Sequence, residues 1–222
     1  MASEVDISNM ALSHLGDSAT VASIDPPEGS AQAEHCQRFY PMARDALLEM
    51  HDWTFASKRV ALAQVTNTSN QWSYAYARPS DCLKLISILS TDAPDDYSQS
   101  FAMAAAGSFE QVNQTGIYTP QKFTQELDDN GNRIILTNQD LATARYTKFV
   151  VDTARFSPLF VETLAAYLAS KLAGPVLKGE LGRSESKAWM QVAMTFLASA
   201  KLSDGAQQRQ DTAHNVPWLA GR

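Results

Sequence analysis

The spacing of apolar residues changes twice along this chain, and that double change limits the available folds more than any other feature. Apolar residues recur every three or four positions up to about Met50, every second position from about Arg59, and every three or four again after Ser157. The first period belongs to a helix with one buried face and the second to a strand. Helices at both ends of a strand block imply an α+β fold. In that fold a discontinuous helical bundle, drawn from both chain ends, carries an inserted antiparallel β domain. The expected divisions are 1–58 and 154–204 for the helical domain, 59–153 for the β domain and 205–222 for a C-terminal tail.

Local signals place the helices. Ser3 and Asp6 form a capping-box pattern ahead of Ile7, Met10, Ala11 and Leu15, and Gly16 marks the stop. From Ser30 to Met50 one stripe carries Cys36, Tyr40, Ala43, Leu47 and Met50. Pro41 interrupts that stripe, and its missing donor predicts a kink near Gln37 or a break into two helices. Ser157-Pro158 is a cap followed by proline at the first helical position, and Val161, Leu164, Leu168 and Leu172 lead toward Gly174-Pro175. A last helix from about Ser184 has Trp189, Val192, Phe196 and Ala200 on one face, with Met190, Met194 and Leu197 beside it. Such a broad apolar surface predicts packing on two sides and makes Trp189, Met190, Met194 and Leu197 the candidate subunit-interface residues.

In the middle, Val60 to Val65 reads as a strand, and Trp72, Tyr74 and Tyr76 alternate as a core-facing row on another. Leu83 to Leu89 forms a mostly buried strand after Pro79-Ser-Asp81. Lys122–Leu127 and Arg133–Thr137 flank Asp128-Asp-Asn-Gly131-Asn132, a hairpin turn, and a further strand covers Ala144 to Val151. Pro94 to Pro120 reads as a long exposed loop or a loosely held helix around Phe101 to Ala106. The tail turns from a polar run, Gln207 to Asp211, to the apolar cluster Val216-Pro217-Trp218-Leu219, a tether with a candidate partner-binding anchor or a patch folded back on its own domain.

Charge and composition remove several classes of function. The net charge of −6 argues against a general grip on nucleic acid, which needs clustered Lys and Arg. No run approaches the roughly 20 apolar residues of a membrane span, and the acidic N-terminus has no secretory apolar core, so no membrane role and a cytoplasmic site of synthesis are expected. Cys36 and Cys82 lie far apart, which fits buried thiols better than a disulfide or metal site.

The sequence contains no phosphate-binding loop, dinucleotide turn, zinc-protease helix or nucleophile elbow. Asp128, Asn130 and Asn132 alternate like the start of a calcium loop, yet the sixth position is Arg133 where Gly is needed and the bidentate Glu is missing, so no metal is expected. His35-Cys36 and His51-Asp52 are neighbours that do not face each other on a helix; His51 complements a helix dipole and Asp52 closes a turn. Glu34, Glu49, Asp81 and Glu162 are the carboxylates from which a glycosidase-like pair would have to come. Lys122, Arg133, Arg145 and Lys148 fall on the strands and read as a solvated face rather than a phosphate-binding patch.

Two ordered stretches, Phe39 to Leu62 (FYPMARDALLEMHDWTFASKRVAL) and Trp72 to Ile88 (WSYAYARPSDCLKLISI), carry a resemblance. They hold Tyr40, Arg44 and Asp45 on a helix, then Trp53-x-Phe55-Ala56 with Lys58 and Arg59, then Tyr74 and Tyr76 closing on Pro79-Ser80-Asp81-Cys82-Leu83. Together with the opening helix around Asn9 to Gly16 and the helix from Ser157, they resemble the tail tubular protein A family of short-tailed bacteriophages. The resemblance implies a structural head-to-tail adaptor of the virion without catalytic residues or cofactors. It implies a ring, typically of twelve copies, between the portal protein ring and the tail nozzle protein, with packaged double-stranded DNA passing through. It also implies a helical part toward the portal and a strand part toward the nozzle. An acidic channel wall suits that passage, since it offers sliding phosphates no counterion sites.

Two other classes remain open on the sequence alone. One is a tail-associated cell-wall hydrolase working through a carboxylate pair. The other is a single-strand binder stacking bases on Trp72, Tyr74 and Tyr76, which requires those rings to be exposed.

Overall fold

The computed structural model describes residues 2–18, 20–91 and 121–207. The loop or helix expected between Pro94 and Pro120, and the Val216–Leu219 anchor, lie outside the described residues. The architecture is α+β, with four α-helices and two sheets among the described residues. It divides into two compact units, one built from residues up to Ser57 together with 147–207, the other from 58–146. The return crossing thus falls at 146/147 rather than the 153/154 read from sequence, and Phe156, beyond it, already packs on Phe55 and Phe160 of the helical unit.

Helix α1 (Glu4–His14) begins with the expected reciprocal bonds between Ser3 and Asp6. It ends in a Schellman turn: Gly16 has φ 74°, its N–H donates to Ser13 O, and Asp17 N–H donates to Leu12 O. Asn9 then holds the adjoining loop by bonding both the N–H and the carbonyl of Val21. Helix α2 (Ala31–Glu49) starts at the Ser30 cap and runs unbroken through Pro41. Of the two expectations the break is absent; Pro41 and Gln37, whose carbonyl it leaves free, are both exposed, where a freed carbonyl costs least. Cys36, Tyr40, Ala43 and Leu47 are buried as the stripe required, while Met50 is exposed.

Helix α3 (Pro158–Leu177) packs against α1, α2 and α4 (Gly179–Gly205). Every residue from Thr163 to Ser170 is buried, the pattern of a central helix enclosed on all sides. It runs past Gly174 and takes Pro175 inside, again four residues after an exposed position, Lys171. The turn lies at Lys178 and Gly179, with φ 56° and 60°, so α4 begins earlier than the expected Ser184. At Gly182 a Cβ would sit 2.8 Å from the carbonyl oxygen of Ala173, and the missing side chain lets α4 lie directly on α3.

In the β unit, β1 (Ser57–Ala61), β4 (Cys82–Leu89) and β7 (Thr143–Lys148) form one sheet in the order β1-β7-β4. The other sheet is antiparallel and contains β2 (Gln64–Val65), β3 (Tyr74–Ala77), β5 (Phe123–Leu127) and β6 (Arg133–Thr137) in the order β2-β3-β6-β5. The single strand read over Val60–Val65 is therefore two strands, one in each sheet. The switch is fixed by Leu62 N–H donating to Ala142 O and by Ala63 O accepting from Ala77 N–H. The β5–β6 hairpin has the expected register, Leu127 opposite Arg133.

Candidate functional site

Most residues of the quoted motifs are structural in this fold. Trp53 is fully buried and its Nε1 donates to Leu47 O at 2.9 Å, while its ring meets Phe160 edge-on at 5.0 Å. Phe55 also packs on Phe160, at 5.2 Å, and on Phe156. The Trp-x-Phe spacing thus sets two rings around one phenylalanine of α3. Tyr40 is buried, its hydroxyl has no hydrogen-bond partner among the described residues, and burial pushes its phenol well above the usual range. Arg44 is also buried and bonds its neighbour Asp45 through Nε at 2.8 Å.

The second motif stretch makes a polar tie inside the β unit. Asp81 accepts from Lys58 Nζ at 2.8 Å and from the Tyr146 hydroxyl at 2.7 Å. Lys58 also lies 5.9 Å from the centre of the Tyr146 ring. Its bond to Asp81 holds the ammonium pKa above the ordinary lysine value, while burial, then the bond to Asp81, holds the Tyr146 phenol above its own. Pro79 O accepts from Cys82 N–H, turning the chain into β4 with Cys82 facing the core. Burial pushes the Cys82 thiol up, and the Cys36 thiol up to about 11, so both are packed, protonated groups.

The aromatic row divides. Tyr74 and Tyr76 belong to the main β core, and Tyr76 donates through its hydroxyl to Gln139 O. Trp72 lies before β3 begins and packs instead with Val65 beside Ala75, Ile134 and Leu136. A base-stacking platform of three exposed rings is not formed, since Tyr76 is buried. Nor do the four strand cations make one solvated patch. Arg145 is buried, and Lys122 and Arg133 sit at opposite ends of the hairpin. At the hairpin turn the Asp128 carboxylate accepts from Asn132 Nδ2 and from the N–H groups of Asn132 and Asn130, which holds its pKa below the usual range.

Of the candidate carboxylates, Glu34 and Glu49 lie at opposite ends of α2, about 22 Å apart at 1.5 Å per residue. That exceeds the 5 to 9.5 Å span, in round figures, of a glycosidase pair. His51 Nε2 lies 3.2 Å from a carboxylate oxygen of Asp204, which also accepts from the N–H and hydroxyl of Thr54. The sequence hid this cluster, because Asp204 and Thr54 lie 150 positions apart and no local pattern joins them.

Helix α4 offers a broad surface with the character of a contact site. Its buried seam is Gly182, Ala193, Leu197, Ala200 and Asp204. Leu197, expected at a subunit interface, is therefore enclosed within its own unit and leaves that set. Trp189 stacks on His14 of α1 at 4.5 Å on one flank of the seam, while Met190 is half-buried and Met194 exposed on the other. From Ala188 to Ala200 there is no charged residue, although Ala188, Gln191, Val192, Met194, Thr195, Ala198 and Ser199 are exposed. An exposed helical face normally carries charge, and this one spans more than three turns without any.

No family model matches the chain, and no curated protein matches it. Among the described residues no helix is long and apolar enough to cross a membrane.

Proposed function

We propose that this chain is a structural head-to-tail adaptor of a short-tailed bacteriophage, assembling into a ring between portal and tail nozzle and letting DNA pass through its channel. The observation that carries the reading is the uncharged outer face of α4 from Ala188 to Ala200. A ring subunit must present a face to its neighbour, and on a chain of net charge −6 a charge-free face meets a second copy without like-charge repulsion. Val192, Met194 and Met190 are the residues assigned to that contact, with Trp189 at its edge.

The family resemblance supports the same reading. Its motif residues form the aromatic cluster around Phe160 and the Asp81 tie, which are framework rather than catalysis. In this proposal the four helices act as the discontinuous bundle and the β unit as the inserted domain. The Val216–Leu219 cluster is the anchor toward the portal or a neighbouring subunit. Mixing the purified protein with its portal ring and measuring mass by light scattering coupled to size exclusion tests the proposal. Stoichiometric addition of 24.3 kDa subunits to the ring is expected. A protein that leaves the portal ring unaltered overturns it.

A further inference from the structure

Asp204 stands where a carboxylate is least at home. It lies in the last turn of the 27-residue α4, at the negative end of the helix dipole, and only 5% of it is exposed. No basic residue occupies that last turn. A buried carboxylate so placed is costly unless donors surround it. Here they come from a single corner: Thr54 donates its hydroxyl at 2.6 Å and its N–H at 3.1 Å, and His51 Nε2 stands at 3.2 Å.

That corner matters because of its position in the chain. Thr54 opens the short 3-10 turn Thr54–Ala56, and the chain leaves the helical unit immediately afterwards, at 57/58. Asp204 closes α4, the helix that precedes residues 208–222. One carboxylate therefore fastens the end of α4 to the turn at which the chain leaves this unit beyond α2. The corner's other attachments, Trp53 to Leu47 O and to Phe160, reach α2 and α3, and the Thr54 hydroxyl also stands 3.5 Å from Gln207 Oε1 just past the end of α4.

We infer that the Thr54–His51–Asp204 cluster is a clasp whose two sides open together, so that releasing the end of α4 also releases the turn at Thr54–Ala56. The inference is independent of the adaptor proposal, since it concerns the isolated chain. Amide hydrogen exchange followed by mass spectrometry reads it on the full-length protein. In Asp204→Asn, which keeps the shape and removes the charge, exchange is expected to speed up about tenfold both over 53–57 and over 201–206. Thr54→Val approaches from the other side and keeps the carboxylate, with the same paired effect expected at the end of α4. The buried stretch 163–170 of α3 should keep its protection in both variants. Acceleration confined to the substituted side, or absent from both, overturns the inference. Equal acceleration at 163–170 also overturns it, because the cluster is then a general stabiliser. If Asp204→Asn does not fold, Thr54→Val alone decides.

Discussion

In the helical unit the central element is α3, enclosed by three other helices and buried at every position from Thr163 to Ser170. In the β unit the matching elements are β6 and β7, each an inner strand of its sheet and buried at four successive positions. The two centres are alike in having no solvent face, but they are fastened differently. Around α3 the contacts are aromatic and aliphatic, with ring pairs at Phe160 and a glycine contact at Gly182. The β unit has an apolar core of its own, with Ile88 and Ile135 in it, and adds polar ties across its strands, Asp81 to Lys58 and Tyr146, and Tyr76 to Gln139. Apolar packing is non-directional and fails through cavities, whereas a polar tie fails when one partner is removed and the other is left unpaired.

The largest test of that contrast is to hollow each centre. Trp53→Ala should destabilise the helical unit by about 3–5 kcal/mol, since it opens a cavity beside Phe160, and Ile135→Ala should cost the β unit about 2–5 kcal/mol. Urea unfolding, followed by helical circular dichroism and by amide exchange at β6, separates the two; a shared midpoint would mean that the units unfold as one. Gly182→Ala comes next, at about 1–3 kcal/mol, because its Cβ would meet a backbone oxygen that cannot swing aside. Tyr146→Phe, which removes one hydroxyl from Asp81, should cost about 1 kcal/mol and act through the β unit alone.

The smallest effect is a pH dependence. Burial against Trp189 lowers the His14 pKa below its ordinary 6.5. The unfolded chain then binds the proton more readily than the folded one, so this contribution to stability is present above pH 6.5 and is lost as the pH falls below it. Thermal unfolding from pH 8 to 5 should show the decline, and His14→Gln should flatten it. Asp128 acts in the same direction at lower pH: its lowered pKa ties the hairpin turn above the usual carboxylate range and loosens it on protonation.

The legible parts of this fold are those encoded within a few residues. The Ser3–Asp6 box, the Ser157-Pro158 start, the stripe from Cys36 to Leu47 and the register of the Asp128 hairpin all derive from local spacing. Proline position alone does not end these helices: α2 continues through Pro41 and α3 through Pro175, each four residues after an exposed position, and exposure is a tertiary property. The broad apolar surface of α4 is legible, but not which part of it is enclosed: the buried seam is mostly small, Gly182, Ala193 and Ala200 with Leu197, while the large Trp189 and Phe196 lie at its flank. The polar clusters at Asp81 and Asp204 were invisible, because each joins positions far apart in sequence whose residue types are unremarkable alone.

The central claim is that the charge-free outer face of α4 is a contact surface, and inserting charge there tests it most directly. Val192→Lys and Thr195→Lys fall on exposed positions, so the thermal unfolding of the isolated protein should be unchanged. Both substitutions are expected to prevent ring formation on the portal, measured as the mass of the complex by light scattering. Variants that add to the portal ring at wild-type stoichiometry would contradict the account.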